Sequence, residues 1–336
     1  MTKAVISGYY GFKNFGDETI LSVLIQHIKP MIDNITVFSS DIDYTKNKYD
    51  VDSVHSFDLK NVIKTIKSCD ILISGGGSLF QDVTGIKSLL YYAFVILLAI
   101  LFKKKIIIFA QGIGPLKNKI SKIIVKELFK CCDLVTVRDE NSLKILKEWN
   151  IKGYLVCDPV FDIDIEAKEK KSVVGIQLRD FHTVNYNLLN KIALLINAKF
   201  ADKKIKLFIL QNDYDTDISR KFEADLKSIN KDIDIEITEN NIIENISELE
   251  YFIAMRYHAI LTALKSGVKT CAINYDIKVE QLAKEAGIPL VSVFAQENFE
   301  GIYQSLINLD SKKLIEYTNS KKFDWSEFDK IILPSS

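Results

Sequence analysis

Short runs of β-branched and apolar residues alternate along this chain with amphipathic stretches of helical period. Val5–Ser7, Thr36–Ser39, Ile71–Ser74, Ile106–Ala110 and Leu134–Val137 read as strands, and Asp17–Ile28, Asn118–Cys131 and Glu140–Trp149 as helices between them. The helix over 17–28 opens on Asp17-Glu18 and meets Pro30 near its end. Repeated strand–helix units predict a largely parallel, doubly wound sheet. Around Asp162–Ser172 the pattern lapses into a polar stretch that reads as a linker. Strands then resume at Val173–Leu178, Leu207–Leu210, Ile233–Ile237, Phe252–Met255, Thr270–Ile273 and Leu290–Val293. The expectation is two successive α/β domains, 1–165 and 166–336, with the last helix packing back on the first. At 336 residues each half is long enough to bury its own core.

Charge and composition exclude several classes of function. The 44 basic residues balance 44 acidic ones, which argues against binding nucleic acid by bulk electrostatics. Hydrophobic residues make up 48%, too many for a disordered chain. Five cysteines (Cys69, Cys131, Cys132, Cys157, Cys271) form no CxxC pair, which predicts reduced, buried thiols in a cytoplasmic protein. The first residues carry no signal-peptide hydrophobic region. No HExxH motif appears, and no metal is expected. Leu89–Phe102 is uncharged and is followed by Lys103-Lys104-Lys105, but it is too short to span a bilayer. It reads either as a helix buried against the sheet or as a contact with a membrane surface.

In a parallel sheet, ligands bind where strands end and loops lead into helices. Three glycine-bearing segments fall there: Gly8-Tyr9-Tyr10-Gly11-Phe12-Lys13-Asn14-Phe15-Gly16-Asp17-Glu18, Ser74-Gly75-Gly76-Gly77-Ser78 and Gln111-Gly112-Ile113-Gly114-Pro115. None is GxGxxG or a P-loop. The expectation is glycine turns that let the backbone approach a ligand. Asp17-Glu18 and Asp139-Glu140 also read as plain helix N-terminal charges.

Only Arg138, Arg179, Arg220 and Arg256 among the 44 basic residues are arginine. Where lysine serves for a bare charge, the arginines that remain are enriched at sites needing a planar fork. Arg138, Arg179 and Arg256 end predicted strands, as does the Asn274–Lys278 segment. Arg220 reads as a solvated charge. His258 lies two residues from Arg256 at a strand-to-helix junction, where a proton donor beside an anion clamp makes chemical sense. His27, His55 and His182 read as structural. Arginines plus a lysine suit a small carboxylate-phosphate.

With these motifs laid out, the chain resembles the polysaccharide pyruvyltransferases, in particular those acting on cell-wall (S-layer anchoring) polymers. The resemblance rests on Gly8-Tyr9-Tyr10-Gly11, Asn14, Gly16-Asp17-Glu18, Ser74-Gly75-Gly76-Gly77 with Gln81-Asp82, and Ala110–Pro115. It continues through Val137-Arg138-Asp139, Met255-Arg256-Tyr257-His258-Ala259 and Tyr275-Asp276 with Lys278-Val279. Tyr257 stands where the family often has leucine and Ile277 where proline is common; the loop around Asn185 matches nothing familiar. The resemblance implies a glycosyltransferase-B-like fold, two Rossmann-like halves facing across a cleft. It implies transfer of the enolpyruvyl group of phosphoenolpyruvate onto two sugar hydroxyls, forming a ketal and releasing phosphate. On that reading His258, Arg138 and Lys278 are catalytic, His258 as the general acid and Lys278 meeting the phosphate or leaving-group charge, and Arg138, Arg256, Tyr257, His258 and Lys278 hold the donor. Gly11, Asn14, Asp17, Glu18, Gly75, Gly76, Gly77, Gln81, Asp82, Gln111 and Gly112 line the acceptor side. Phosphoenolpyruvate would be a co-substrate, with no cofactor. The implied acceptor is a lipid-linked glycan carrying an N-acetylhexosamine such as N-acetylmannosamine, met at the inner membrane face. A glycosyltransferase of the same fold using a nucleotide sugar is the rival enzyme reading, and a non-catalytic scaffold the rival from another class.

Overall fold

The computed structural model describes residues 1–83, 85–181, 186–292 and 298–333. The chain divides into two compact units, Met1–Ile163 with Lys322–Ser336, and Asp164–Lys321.

The first unit carries strands β1 (Lys3–Ser7), β2 (Asn34–Ser39), β3 (Asp52–His55), β4 (Ile71–Ser74), β5 (Gly77–Phe80), β6 (Lys105–Ile113), β7 (Leu134–Val137) and β8 (Tyr154–Leu155). They run in the order β3-β2-β1-β4-β6-β7-β8, with β5 pairing the far half of β6. Every pair is parallel. Helices Leu59–Ser68, Ile86–Leu101, Lys119–Lys130 and Glu140–Glu148 bury Val62, Ile96, Val125 and Leu146 against Leu72, Ile106 and Ile108 in one apolar core. Successive residues of a strand point to opposite faces, and Phe109 accordingly packs against Phe323, Trp325 and Phe328 of the C-terminal segment.

That segment is tied in by polar contacts. Asp162 accepts from the Phe323 amide (3.0 Å) and the Trp325 indole (2.9 Å). His27 stacks on Trp325 at 3.7 Å, with Nε2 2.7 Å from Asp329 Oδ1. Asp162, which its sequence places at the start of a linker, is therefore an anchor of the first unit.

The second unit carries β9 (Val173–Gln177), β10 (Lys204–Phe208), β11 (Ile235–Thr238), β12 (Tyr251–Ala254), β13 (Lys269–Asn274) and β14 (Leu290–Ser292), in the order β11-β10-β9-β12-β13-β14, all parallel. Its core joins Ile176, Leu207, Ile253 and Ile273 to Ile192, Phe222 and Leu226 of helices Tyr186–Lys199 and Asn212–Ile229. Val293, His182 and Asn185 lie outside the described residues.

Three local readings are corrected. Gln111-Gly112-Ile113 is not a turn but the end of β6, which runs to Ile113 past a positive φ of 45° at Ala110. The first helix starts at Phe15 rather than Asp17, because Asn14 caps it by accepting from the Gly16 and Asp17 amides. Cys131 is exposed, so the free thiols are not uniformly buried. Among the described residues no helix is long and apolar enough to cross a membrane.

Candidate active site

Parallel strands bring the loops after β1, β4, β6 and β7 to one edge of the first sheet. There the glycines prove to be spacers for a buried tyrosine. Tyr10 is 1% exposed, and a Cβ added at Gly8 or Gly75 would collide with its ring or hydroxyl. A Cβ at Gly76 would sit 2.9 Å from Ile20 Cγ2, and Gly77 has a φ of 105°. Gly11, at φ 80°, leaves room for Ser39 Oγ. At Gly8, Gly75 and Gly76 the space a side chain would take is filled by the protein itself.

The polar residues of this edge are also built into the fold. Glu18 is 3% exposed. It accepts from the Gly11 amide (2.8 Å) and the Tyr49 hydroxyl (2.6 Å), which makes it more than a surface helix charge. Gln81 accepts from the Val83 amide, and Asp82 clamps the Lys117 and Asn118 amides at 2.8 Å each. Those amide donors hold the Asp82 carboxyl below its usual range. Gln111, buried within β6, donates through Nε2 to the Gly77 and Gly112 carbonyls. Asp17, half-buried in the first helical turn, lies beside Gly77.

Burial raises the Glu18 pKa above its ordinary 4.5, against the opposing hydrogen bonds from Tyr49 and Gly11. Its ionisation therefore opposes folding above the folded-state pKa. That penalty shrinks as pH falls through the raised value and is gone below the unfolded one. Glu18→Gln is expected to compare best with the wild type at about pH 7 and to lose ground by about pH 4, read from denaturant melts at each pH. A stability difference that does not change with pH would contradict a buried, ionising Glu18.

Arg138, which follows β7, donates from Nη1 to Asp158 Oδ2 at 2.6 Å and from Nη2 to Ser78 Oγ at 3.4 Å. The Asp158 side chain is buried, and that of Arg138 is 10% exposed. Asp158 also caps the short turn at Pro159 by accepting from the Val160 amide. Sequence reading missed Asp158; an aspartate directly before a proline, opening a turn, was the available signal.

In the second unit, β10, β9, β12 and β13 adjoin and end on the same edge. Arg256, just past β12, spans Asp215 with Nε 2.9 Å from Oδ2 and Nη2 2.6 Å from Oδ1, and Nη2 also reaches Gln211 Oε1 at 3.2 Å. Asp215 is fully buried and accepts in addition from the Leu210 and Gln211 amides. Gln177, at the end of β9, accepts from the Arg256 amide at 2.8 Å. The bidentate geometry expected at a rare arginine is present, but its partner is the protein's own carboxylate. Asp215 and Gln177 carried no signal in the sequence, since the one lies in a polar helix and the other in a strand.

Arg179, just past β9, is held differently. Its guanidinium lies 5.0 Å from the Tyr214 ring and 5.9 Å from the Tyr275 ring. Its buried Nε has no hydrogen-bond partner, and among the described residues no carboxylate pairs with it. Burial pushes the Tyr275 hydroxyl up, against the pull of the Arg179 and Arg256 charges. His258 sits in the first turn of helix Tyr257–Lys265, half-buried and edge-on to Tyr257 at 5.2 Å. Lys278, half-buried, opens helix Ile277–Ala286 after β13, its amide capped by Asp276 at 2.8 Å. Arg220 is exposed, as expected.

Two parallel-sheet α/β units are the plan of glycosyltransferase-B-type proteins. The chain is similar in fold to HepE from Anabaena solved with UDP-glucose (TM-score 0.64, 13% identity, 99% of this chain and 98% of that one). It is similar also to a UDP-GlcNAc 2-epimerase from Methanocaldococcus jannaschii (0.63, 12%, 96% and 95%) and to MurG from Acinetobacter baumannii (0.54, 8%, 98% and 98%). No curated protein sequence matches significantly. The family model for polysaccharide pyruvyl transferase matches residues 14–277, and the chain belongs to that family. It is a transferase whose family moves pyruvate to a polysaccharide acceptor.

Proposed function

We propose that the protein takes pyruvate from phosphoenolpyruvate and sets it as a cyclic ketal on two hydroxyls of a sugar, releasing phosphate. The observation that carries this is the gathering of Arg179, Arg256, His258, Tyr275 and Lys278 at the ends of β9, β12 and β13. A compact dianion or trianion suits such a set, because charge-assisted bonds to guanidinium are the strong ones. Arg256 is fixed by Asp215, so its orientation is set before any ligand arrives; among the described residues Arg179 has no such carboxylate. Arg179 and Lys278 meet the donor's charge, and Tyr257 flanks it.

In the proposed reaction His258 delivers a proton to the methylene carbon of the donor, leaving an oxocarbenium-like centre at the adjoining carbon. One sugar hydroxyl bonds to that carbon and gives up its proton. The second hydroxyl then attacks the same carbon as its bond to the phosphate oxygen breaks, and phosphate leaves with the electron pair and takes up that hydroxyl's proton. Basic side chains neutralise the donor, so we propose that no divalent metal takes part. The acceptor is proposed to be a lipid-linked cell-wall or exopolysaccharide precursor bearing an N-acetylhexosamine, met on the first unit beside Asn14 and Asp17.

Phosphoenolpyruvate is expected to raise the melting temperature at millimolar concentration, because a ligand that binds the folded state stabilises it by mass action. Phosphate release with a synthetic disaccharide acceptor should persist in EDTA. Arg179→Lys keeps the charge but loses the fork, and each charge-assisted bond lost is worth about 1.5–3 kcal/mol, so the donor-induced shift should largely vanish. Arg220→Lys should behave as wild type. A shift with UDP-sugars and none with phosphoenolpyruvate would replace this reading with that of a nucleotide-sugar glycosyltransferase.

A further inference from the structure

Helix Ile86–Leu101 is apolar on both sides. Its inner face, including Leu89, Ile96 and Ala99, is buried in the first unit's core. Its outer face should be polar, as on an ordinary surface helix, yet Ile86, Leu90, Leu97 and Leu101 are 39%, 44%, 45% and 65% exposed. Their spacing of four, seven and four residues keeps them on one stripe. Helix Lys119–Lys130, which packs beside it on the same face of the sheet, continues the stripe with Ile120 and Ile123, 62% and 60% exposed.

The charge around this surface is predominantly basic, and Glu127 of the second helix is paired with Lys130 at 2.8 Å. From Val83 to Lys126 the chain contains eight lysines and not one acidic residue, within a protein whose net charge is zero. Lys119, Lys122 and Lys126 are interleaved with the exposed isoleucines. Of the lysines following the apolar run, Lys105 donates to the Ile331 carbonyl.

We propose that this two-helix face docks on the surface of an anionic phospholipid bilayer. Lysines attract the lipid phosphates, while leucine and isoleucine side chains enter the boundary between headgroups and acyl chains. A nucleic acid or other soluble polyanion would satisfy the lysines and leave the apolar stripe wet. A second copy of the chain would cover the stripe by bringing two lysine-rich faces together. The surface lies in a helical layer apart from the strand ends assigned to the reaction, and vesicle binding is read without turnover, so each proposal can fail alone.

The full-length protein is expected to sediment with vesicles of phosphatidylglycerol and phosphatidylcholine in equal parts, and not with phosphatidylcholine alone. Lys119→Gln/Lys122→Gln/Lys126→Gln should weaken the partition by roughly tenfold or more, since each lysine near such a surface contributes measurably. Leu97→Gln/Leu101→Gln should weaken it as well. Both variants change exposed side chains, and unchanged melting temperatures would verify folding. Absence of sedimentation with the mixed vesicles would overturn the proposal. So would vesicle binding that ignores the leucine changes, which would mark a general polyanion site, or a dimer in sedimentation equilibrium that those changes dissolve.

Discussion

Alanine in place of Asp215 is expected to destabilise the protein by about 3–5 kcal/mol, because it strands the Arg256 guanidinium in a buried site. Arg256 is only 9% exposed, and Asp215 takes both its Nε and Nη2 bonds while also satisfying the Leu210 and Gln211 amides. The loss is thus the cost of an unpaired charge together with unsatisfied backbone donors. Asp215→Asn keeps the volume and one acceptor, and should lose less. Asp215→Ala/Arg256→Met removes the stranded charge and should recover part of the stability. Chemical denaturation of the four proteins measures this. An Asp215→Ala variant within about 1 kcal/mol of wild type would mean that Arg256 relaxes to solvent and is not pre-set for a ligand.

Turnover is the second place where a large effect is expected. If His258 supplies the proton, His258→Gln should lower kcat by about 10²–10⁴-fold, the usual contribution of a positioned acid. The same variant should still be stabilised by phosphoenolpyruvate, because the groups proposed to hold the donor's charge are Arg179, Arg256 and Lys278. A side chain that only packs against Tyr257 would, on replacement, change melting temperature more than kcat. Measuring phosphate release and thermal shift on one preparation separates the two. Loss of the donor shift with kcat preserved would move His258 from proton transfer to binding.

The architecture was legible because period-two and period-3.6 hydrophobic patterns are local properties. Alternating strand and helix signals predicted both parallel sheets, and the run Ile71–Ser74 matches β4 to the residue. The family was legible for a related reason: its motifs are short runs of neighbouring residues, read without any tertiary contact. Strand β5, by contrast, begins with a glycine and carries no alternation. It exists because Gly77 and Phe80 pair with the far half of β6, a partner more than thirty residues away.

The glycines mark a close approach in the sequence without saying what approaches. Glycine at 8, 75 and 76 signals that something approaches the backbone closely, but only the folded chain reveals that Tyr10 and Ile20 are what approaches. The arginines divide similarly. Their scarcity marked Arg138 and Arg256 as places needing a fork, and each does hold a carboxylate, Asp158 and Asp215 respectively. Those partners lie 20 and 41 residues away, at separations that no helical or strand period reports. Among the described residues Arg179 has no such carboxylate partner, and its sequence neighbourhood looks no different from theirs. Composition and periodicity determine which elements form and which loops share an edge of a sheet. Which charges are neutralised within the protein and which remain for a ligand is a matter of distances across that edge, and those exist only once the strands have paired.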